Sequence, residues 1–207
     1  MKPVHVHEDA ELHRELLSLA CRSLDRRGRP DRASGSVSVR SGEAVIITTG
    51  DLNEESLQQD AVMVDPSQGL PLLGETDWPP PETPAHLALH RRLPGRGAVV
   101  HIHEPRSLAL AAAVGGAPGA IGALVAVVSP EPRGPAPLAG LPGHPELPEL
   151  PELPDEAVAL LVEGRGVFTW GRDTDEALSR LERIEELGRP LLPEHPARAG
   201  AARVTVW

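Results

Sequence analysis

A proline-dense stretch between residues 129 and 155 limits what this chain can fold into more than any other feature. It contains the tripeptide Pro-Glu-Leu three times in succession, at positions 145–153. Because proline fixes φ and lacks an amide donor, such a stretch forms neither a regular helix nor the interior of a sheet. We expect an exposed, extended loop with some polyproline character, so the core must be built from the chain on both sides of it.

Those flanking segments mix helices and strands without a strict βαβ alternation. Hydrophobic periodicity predicts helices at 9–27, 82–93, 105–113 and 173–187, a turn or short helix at 51–59, and strands near 37–39 and at 44–48, 61–64, 98–103, 123–128, 158–162 and 167–170. This pattern favours one α/β domain over residues 1–207, with a largely antiparallel or mixed sheet between helices. Residues 188–207 are predicted to be an irregular tail.

The first predicted helix has leucines at helical spacing. Leu12, Leu16, Leu19 and Leu24 would form its apolar face, and Cys21 is expected to be a small core residue. As the chain has a single cysteine, an intramolecular disulfide is excluded and a cytoplasmic location is the expectation. The sequence also has no apolar run long enough to span a membrane, and its charged N-terminus does not resemble a signal peptide.

Charge and composition exclude several kinds of chemistry. The net charge of −10 argues against nucleic-acid binding, which needs a surplus of Lys and Arg. Lys2 is the only lysine and there is no tyrosine, which excludes Schiff-base chemistry and any mechanism that needs a phenolic acid. His, Asp, Glu, Arg, hydroxyl groups and a metal ion remain for catalysis.

The clearest chemical pattern is His101-Ile102-His103 at the end of a predicted buried strand. Side chains at positions i and i+2 of a strand project to the same face, so two imidazoles can meet one metal ion there. Glu82 opens the preceding helix and Glu104 follows the pair directly. A metal ion beside a glutamate can polarise a carbonyl while the carboxylate moves a proton. Two surface histidines are the alternative.

Two segments rich in glycine and hydroxyl groups flank the predicted hairpin: Ser34-Gly35-Ser36 before it and Thr48-Thr49-Gly50 after it. Glycine allows close approach of the backbone to an anion, so these segments could hold a phosphate without a lysine. Ordinary turn chemistry is the alternative. The remaining histidines are expected to be solvated (His5, His7, His13, His195), packed or exposed on one helix face (His86, His90), or a reserve ligand in the proline-rich loop (His144).

Five segments in this order resemble the class II aldolase/adducin family, and within it the bacterial methylthioribulose-1-phosphate dehydratases of methionine salvage. They are SGSVSVR (34–40), VIITTG (45–50), AVMVD (61–65), ETPAHLALHRRLPGRGAVVHIHE (82–104) and GRGVFTWGRDTDEALSRLERIEEL (164–187). The resemblance covers about residues 10–190, except the proline-rich stretch. It implies a three-layer fold with a central, mainly antiparallel sheet flanked by helices, assembled as a homotetramer.

The resemblance also implies roles for individual residues. His101 and His103 match paired zinc ligands, and Glu82 matches the acid/base glutamate near the metal ion. The matches to the loops that hold a substrate phosphate are Ser34, Gly35, Ser36, Thr49 and Gly50. The implied activity is that of a zinc-dependent lyase. Its substrate would be a small phosphorylated ketose, and the resemblance implies no other small-molecule partner. Dehydration ranks above aldol cleavage because several aldolases of the family use a tyrosine as proton donor.

Three features depart from the family pattern. Arg165 stands where the family usually has a third zinc-binding histidine, and a guanidinium does not coordinate zinc. Ser36 replaces the usual asparagine of the phosphate loop. The second loop is followed by acidic residues: Asp51, Glu54 and Glu55. Two hypotheses follow: a lyase whose metal site is completed by Glu82, Glu104, His144 or water, and a non-catalytic or repurposed protein that kept the fold.

Overall fold

The computed structural model describes residues 9–25, 35–49, 61–72, 74–103, 110, 125–128, 153, 157–162 and 166–191. Its helices are α1 (Ala10–Asp25), α2 (Thr83–Arg92) and α3 (Thr174–Gly188), the last followed by a 3₁₀ turn at Arg189–Leu191. Its strands are β1 (Gly35–Ser41), β2 (Ala44–Thr48), β3 (Ala61–Val64), β4 (Ala98–Ile102), β5 (Val125–Val128), β6 (Ala159–Val162) and β7 (Gly166–Gly171).

The seven strands form one sheet in the order β3-β2-β1-β4-β7-β6-β5. The β5–β6 pair is parallel, and the other neighbouring pairs are antiparallel. The sheet begins from a tight hairpin in which Gly42 adopts a φ of 63° between β1 and β2. The predicted mainly antiparallel sheet is thereby confirmed.

Helices cover both faces of this sheet. On one face α1 and α3 pack through Leu17, Leu24 and Leu181 against alternate strand residues such as Val37 and Val100. On the other face α2 contributes Leu87 to a cluster with β2 and β3, and Leu89 to a second cluster with β4, β6 and β7. Side chains alternate between the two faces because successive strand residues point to opposite sides. The result is the predicted three-layer arrangement.

The apolar face predicted for α1 is wrong for three of its four leucines, which are exposed and not buried. Leu12, Leu16 and Leu19 are 51%, 40% and 51% exposed. The buried stripe of α1 consists of Leu17, Ala20, Cys21 and Leu24. The helix carries two apolar stripes, and only the one with the smaller residues fits closely against the sheet. Cys21 is a core residue as expected, and burial raises its pKa to about 12.

The last helix begins as predicted. Asp173 is its N-cap residue, and its side chain accepts a hydrogen bond from the amide of Glu176 at 2.8 Å. The carboxylate of Glu176 accepts from the amide of Arg172 at 2.7 Å, one residue before the cap. The irregular tail was predicted to begin at residue 188. This is wrong at its start, because α3 continues to Gly188 and the 3₁₀ turn to Leu191.

Several expectations fall on residues outside the described ranges. They concern the segment 51–59, most of the helix at 105–113, nearly all of the proline-rich stretch and the chain after residue 191. Leu110 is described as helical and buried, and Leu153 is buried. None of the helices described is long and apolar enough to cross a bilayer.

Candidate metal centre

Four strand ends meet at one edge of the sheet. The start of β1 lies opposite the end of β4, since Gly35 pairs with Ile102, and the start of β7 lies there too, since Val167 also pairs with Ile102. The end of β2 borders the start of β1 through the hydrogen bond from the Val37 amide to the Thr48 hydroxyl, at 3.0 Å. The described parts of the two predicted phosphate-binding segments therefore lie at the same edge as the histidine pair.

Glu82, His101 and His103 come together at this edge. One ligand atom from each side chain lies within 4.8 Å of the others. His101 is buried in β4, whereas His103 and Glu82 are partly exposed. The three residues come from the start of α2 and the end of β4, which follow one another in the chain, and the packing of α2 over the sheet brings them together. The structure thus brings together the residues predicted from the His-x-His pattern and the opening of the second helix.

The ring of His101 is held between aromatic neighbours. Phe168, its partner on β7, stacks on it with ring centroids 4.1 Å apart and an interplanar angle of 14°. His103 meets the same ring nearly edge-on, with centroids 4.8 Å apart. These contacts limit rotation of the His101 ring. His103 lies just beyond the last residue of β4 and is partly exposed.

Glu82 is the N-cap residue of α2, and its side chain makes no capping hydrogen bond. The helix start is secured by other means, since proline occupies its first turn and the Thr83 hydroxyl donates to the carbonyl of Pro80 at 2.7 Å. The Glu82 carboxylate is consequently directed to the histidine pair and not used for capping. A negative charge at a helix N-terminus is also favoured by the helix dipole.

The donor set fits a divalent metal ion. Two imidazoles and one carboxylate are ligands that zinc accepts, with bonds of about 2.0–2.2 Å, and catalytic zinc sites commonly use three protein ligands with a fourth position open. Ligand atoms gathered within 4.8 Å can surround one such ion after small side-chain rotations. Glu82, His101 and His103 would hold it.

A buried chain of polar side chains, not predicted from the sequence, lies beside this cluster. His86 Nε2 lies 2.9 Å from Ser36 Oγ, His86 Nδ1 lies 2.8 Å from Ser38 Oγ, and Ser38 Oγ lies 2.9 Å from His90 Nε2. All four side chains are at most 1% exposed. The i, i+4 spacing of the histidines and the i, i+2 spacing of the serines indicate one helix face against one strand face, and these two spacings could have predicted the chain. Of the two expectations for His86 and His90, packed or exposed, the structure shows that both are packed.

Both buried histidines are neutral near pH 7. Burial, and then the nearby His101 and His90, lower the pKa of His86 well below its ordinary value. Burial, and then the charge of Arg40, lower the pKa of His90 to about 3. As pH falls from about 6.5 to about 3, the unfolded chain binds a proton at His90 that the folded chain does not, so stability decreases over that interval.

We therefore expect the free energy of unfolding of the wild type to fall more than that of a His90→Leu variant when the pH is lowered from 7 to 4. The difference should be on the order of 3 kcal/mol, from the 2.5 pH units below the unfolded pKa. Urea unfolding followed by circular dichroism at both pH values measures it. Carboxylates are common to both proteins and cancel in the comparison, and equal pH dependence would contradict a neutral buried His90.

Glycine is required where β7 begins beside the histidine pair. Gly166 has a φ of 91°, and a Cβ there would lie 2.1 Å from the Ile102 carbonyl oxygen and 3.2 Å from His103 Cα. Gly35 is similarly close, since its Cβ would lie 2.3 Å from the His101 carbonyl oxygen. Both glycines allow the neighbouring strands to approach β4 where it carries the two histidines.

Gly166→Ala should therefore lower the free energy of unfolding by about 2–4 kcal/mol, from the unfavourable φ and the forced shift of β4. Gly74→Ala is the matched control, because Gly74 has a φ of 97° and nothing within 4 Å of its Cβ position. It should lose only about 1–2 kcal/mol. Chemical denaturation of both variants measures these losses, and equal losses would contradict the close approach of β7 to the end of β4.

The structure places the remaining predicted residues as follows. Gly35 and Ser36 open β1, and Thr49 follows β2 and is partly buried. Ser34, Gly50, Glu104, His144 and Arg165 lie outside the described residues. His13 was expected to be solvated; this is wrong, because it is partly buried and its Nδ1 lies 3.1 Å from Ser41 Oγ.

Comparison with known proteins agrees with this architecture. The family model for the class II aldolase and adducin N-terminal domain matches residues 15–191. A methylthioribulose-1-phosphate dehydratase of Methylococcus capsulatus is 29% identical over 179 residues, covering 81% of this chain and 87% of the relative. A Nocardia farcinica protein named as a bifunctional methylthioribose-1-phosphate isomerase and methylthioribulose-1-phosphate dehydratase is 35% identical over 102 residues. That match covers 49% of this chain and 18% of the longer relative.

A solved structure shows the same fold. The crystal structure of YgbL from Klebsiella pneumoniae superimposes with a TM-score of 0.62 and 22% sequence identity, and the match covers 87% of this chain and 88% of that one. The three-layer arrangement inferred from the sequence is thereby confirmed at the level of the fold.

Proposed function

Because the chain belongs to the family of class II aldolases and adducin N-terminal domains, we propose that it is a metal-dependent lyase acting on a small phosphorylated ketose. Dehydration of methylthioribulose 1-phosphate is the reaction we favour, since relatives named for it align with most of this chain. The observation that carries the proposal is the convergence of Glu82, His101 and His103. A step in methionine salvage, a cytoplasmic location and a homotetramer remain predictions.

The chemistry follows from the types of side chain in the cluster. A bound zinc ion would polarise the ketone of the substrate. Glu82 is the base that takes the proton from the carbon beside the ketone, and it returns a proton to the hydroxyl group that leaves from the following carbon. One C–H bond and one C–O bond break, a carbon–carbon double bond forms, and the balance is the loss of one water.

We place the substrate phosphate at the start of β1 and the end of β2. Gly35, Ser36 and Thr49 supply its described surroundings, and Ser34 and Gly50 complete the two segments in this proposal. The shared edge with the histidine pair supports it. Ser36 is buried and its hydroxyl contacts His86 Nε2. It would donate its single proton to the phosphate with His86 Nε2 as the donor to its oxygen.

The metal site would lack the third histidine, because Arg165 occupies that position of the sequence. A guanidinium cannot coordinate zinc, so Glu82 or water completes the site in our proposal. The same substitution supports the second candidate function, a non-catalytic protein with the family fold. Aldol cleavage ranks third because the sequence contains no tyrosine.

Mass spectrometry separates these functions. Zinc-loaded protein is incubated with methylthioribulose 1-phosphate, and the proposal expects a product lighter by one water that keeps its phosphate. Two smaller fragments would indicate an aldolase. Unchanged substrate with wild type, but turnover by Arg165→His, would identify a member inactivated by loss of the third ligand; unchanged substrate with both would contradict the lyase proposal.

A further inference from the structure

His86 is the one residue of α2 that bonds to both Glu82 and β1. Its main-chain amide donates to the carbonyl oxygen of Glu82 at 3.2 Å, in the first turn of the helix. Its two ring nitrogens contact the hydroxyl groups of Ser36 and Ser38, at 2.9 and 2.8 Å. A buried ring with both nitrogens engaged has a fixed orientation, so this turn of α2 is tied to β1 at a defined height.

The same residue also lies against the metal-binding histidine of β4. Ser36 pairs directly with His101 in the β1–β4 ladder. The ring of His86 meets that of His101 at 83°, with centroids 6.3 Å apart, and meets Phe168 at 71° and 5.6 Å. His86 therefore contacts the ring that fixes His101 as well as His101 itself.

His90 provides an internal comparison one turn later. It is equally buried, and its ring contacts the same serine, Ser38, at 2.9 Å. It lies eight residues from Glu82, whereas His86 lies four residues away and within one helical turn. Loss of His86 removes hydrogen bonds to Ser36 and Ser38, and loss of His90 removes one to Ser38. Both losses should lower folding stability, that of His86 by somewhat more.

We propose that His86 is a positioning residue that holds the Glu82 carboxylate and the His101 imidazole at the spacing a metal ion needs. This inference rests on the proposed function, because it concerns the same metal ion. Residues that orient metal ligands commonly change metal affinity by about 10–100-fold when replaced. A residue that only packs would lower folding stability when it is lost and leave the metal affinity unchanged. Loss of His86 should also weaken metal binding, whereas loss of His90 should not.

The test compares His86→Leu with His90→Leu in the full chain. Both variants are unfolded with urea, and zinc affinity is measured by competition with a chromophoric chelator in the absence of substrate. We expect both variants to lose unfolding free energy, His86→Leu somewhat more than His90→Leu. The zinc dissociation constant should rise about 10–100-fold in His86→Leu and stay at the wild-type value in His90→Leu. His86→Gln, which can restore one of the two ring hydrogen bonds, should recover part of the affinity.

The outcomes are separable. A wild-type protein that binds no zinc would overturn the proposed function itself. Wild-type zinc binding with equal affinities in both leucine variants would overturn the positioning role alone, and so would equal weakening in both. If His86→Leu does not fold, Ser36→Ala decides: weaker zinc binding supports the role, and unchanged binding overturns it.

Discussion

Glu82→Gln is expected to lower kcat about 10²–10⁴-fold even when the variant is saturated with zinc, because an amide cannot take or return the proton. The substitution keeps the size of the side chain and its place at the N-cap of α2, where it makes no capping hydrogen bond. Folding stability should therefore change little. Steady-state kinetics with methylthioribulose 1-phosphate, together with elemental analysis of the same preparation, measure both quantities.

Glu186→Gln is the matched control, since it makes the same chemical change at an exposed position of α3 and should retain wild-type kcat. Retention of kcat by Glu82→Gln would remove the carboxylate from proton transfer. Activity of Glu82→Gln that returns to the wild-type level with excess zinc would instead make Glu82 mainly a metal ligand, and would contradict the acid/base role.

His103→Ala should raise the zinc dissociation constant at least about 100-fold and reduce activity in proportion at limiting zinc, because one of the two imidazoles is lost. His103 is partly exposed and lies just after the last residue of β4, so its truncation leaves the pairing of the sheet intact. Competition with a chromophoric chelator gives the affinity, and thermal unfolding without metal confirms the fold.

His13→Ala serves as the control for this variant. His13 is on α1, covering the opposite face of the sheet, and its contact is with Ser41. It should bind zinc like the wild type. Wild-type affinity in His103→Ala would mean that the histidine pair does not hold the ion together, and the metal centre would have to be placed elsewhere.

The strands and helices around the site could be predicted from local patterns. The apolar segment 98–103 and the β-branched segment 44–48 correspond to β4 and β2, and the segment after Glu82 corresponds to α2. His101 and His103 could be assigned to one face because the period of a strand is two. That Glu82 reaches them could be inferred only from the family resemblance, since tertiary packing brings α2 over the sheet.

The sequence could not predict which of two similar faces of a helix is buried. Helix α1 has two apolar stripes. The stripe with Leu17 is buried and the leucines at 12, 16 and 19 are exposed, because packing depends on shape as well as hydrophobicity. The sequence of α2 alone does not decide whether His86 and His90 are buried or exposed. They are buried in the structure, where Ser36 and Ser38 of β1 are their hydrogen-bond partners. The spacings i, i+4 on α2 and i, i+2 on β1 each mark one face, but only tertiary packing brings these two faces together.

The most direct test of the central claim is the metal content of wild-type protein purified without chelator. We expect close to one zinc ion per chain. A chelator should remove both the zinc and the lyase activity, and added zinc should restore both. Protein that contains no metal, and takes up none during incubation with zinc, would contradict the account and leave a family fold without the lyase chemistry.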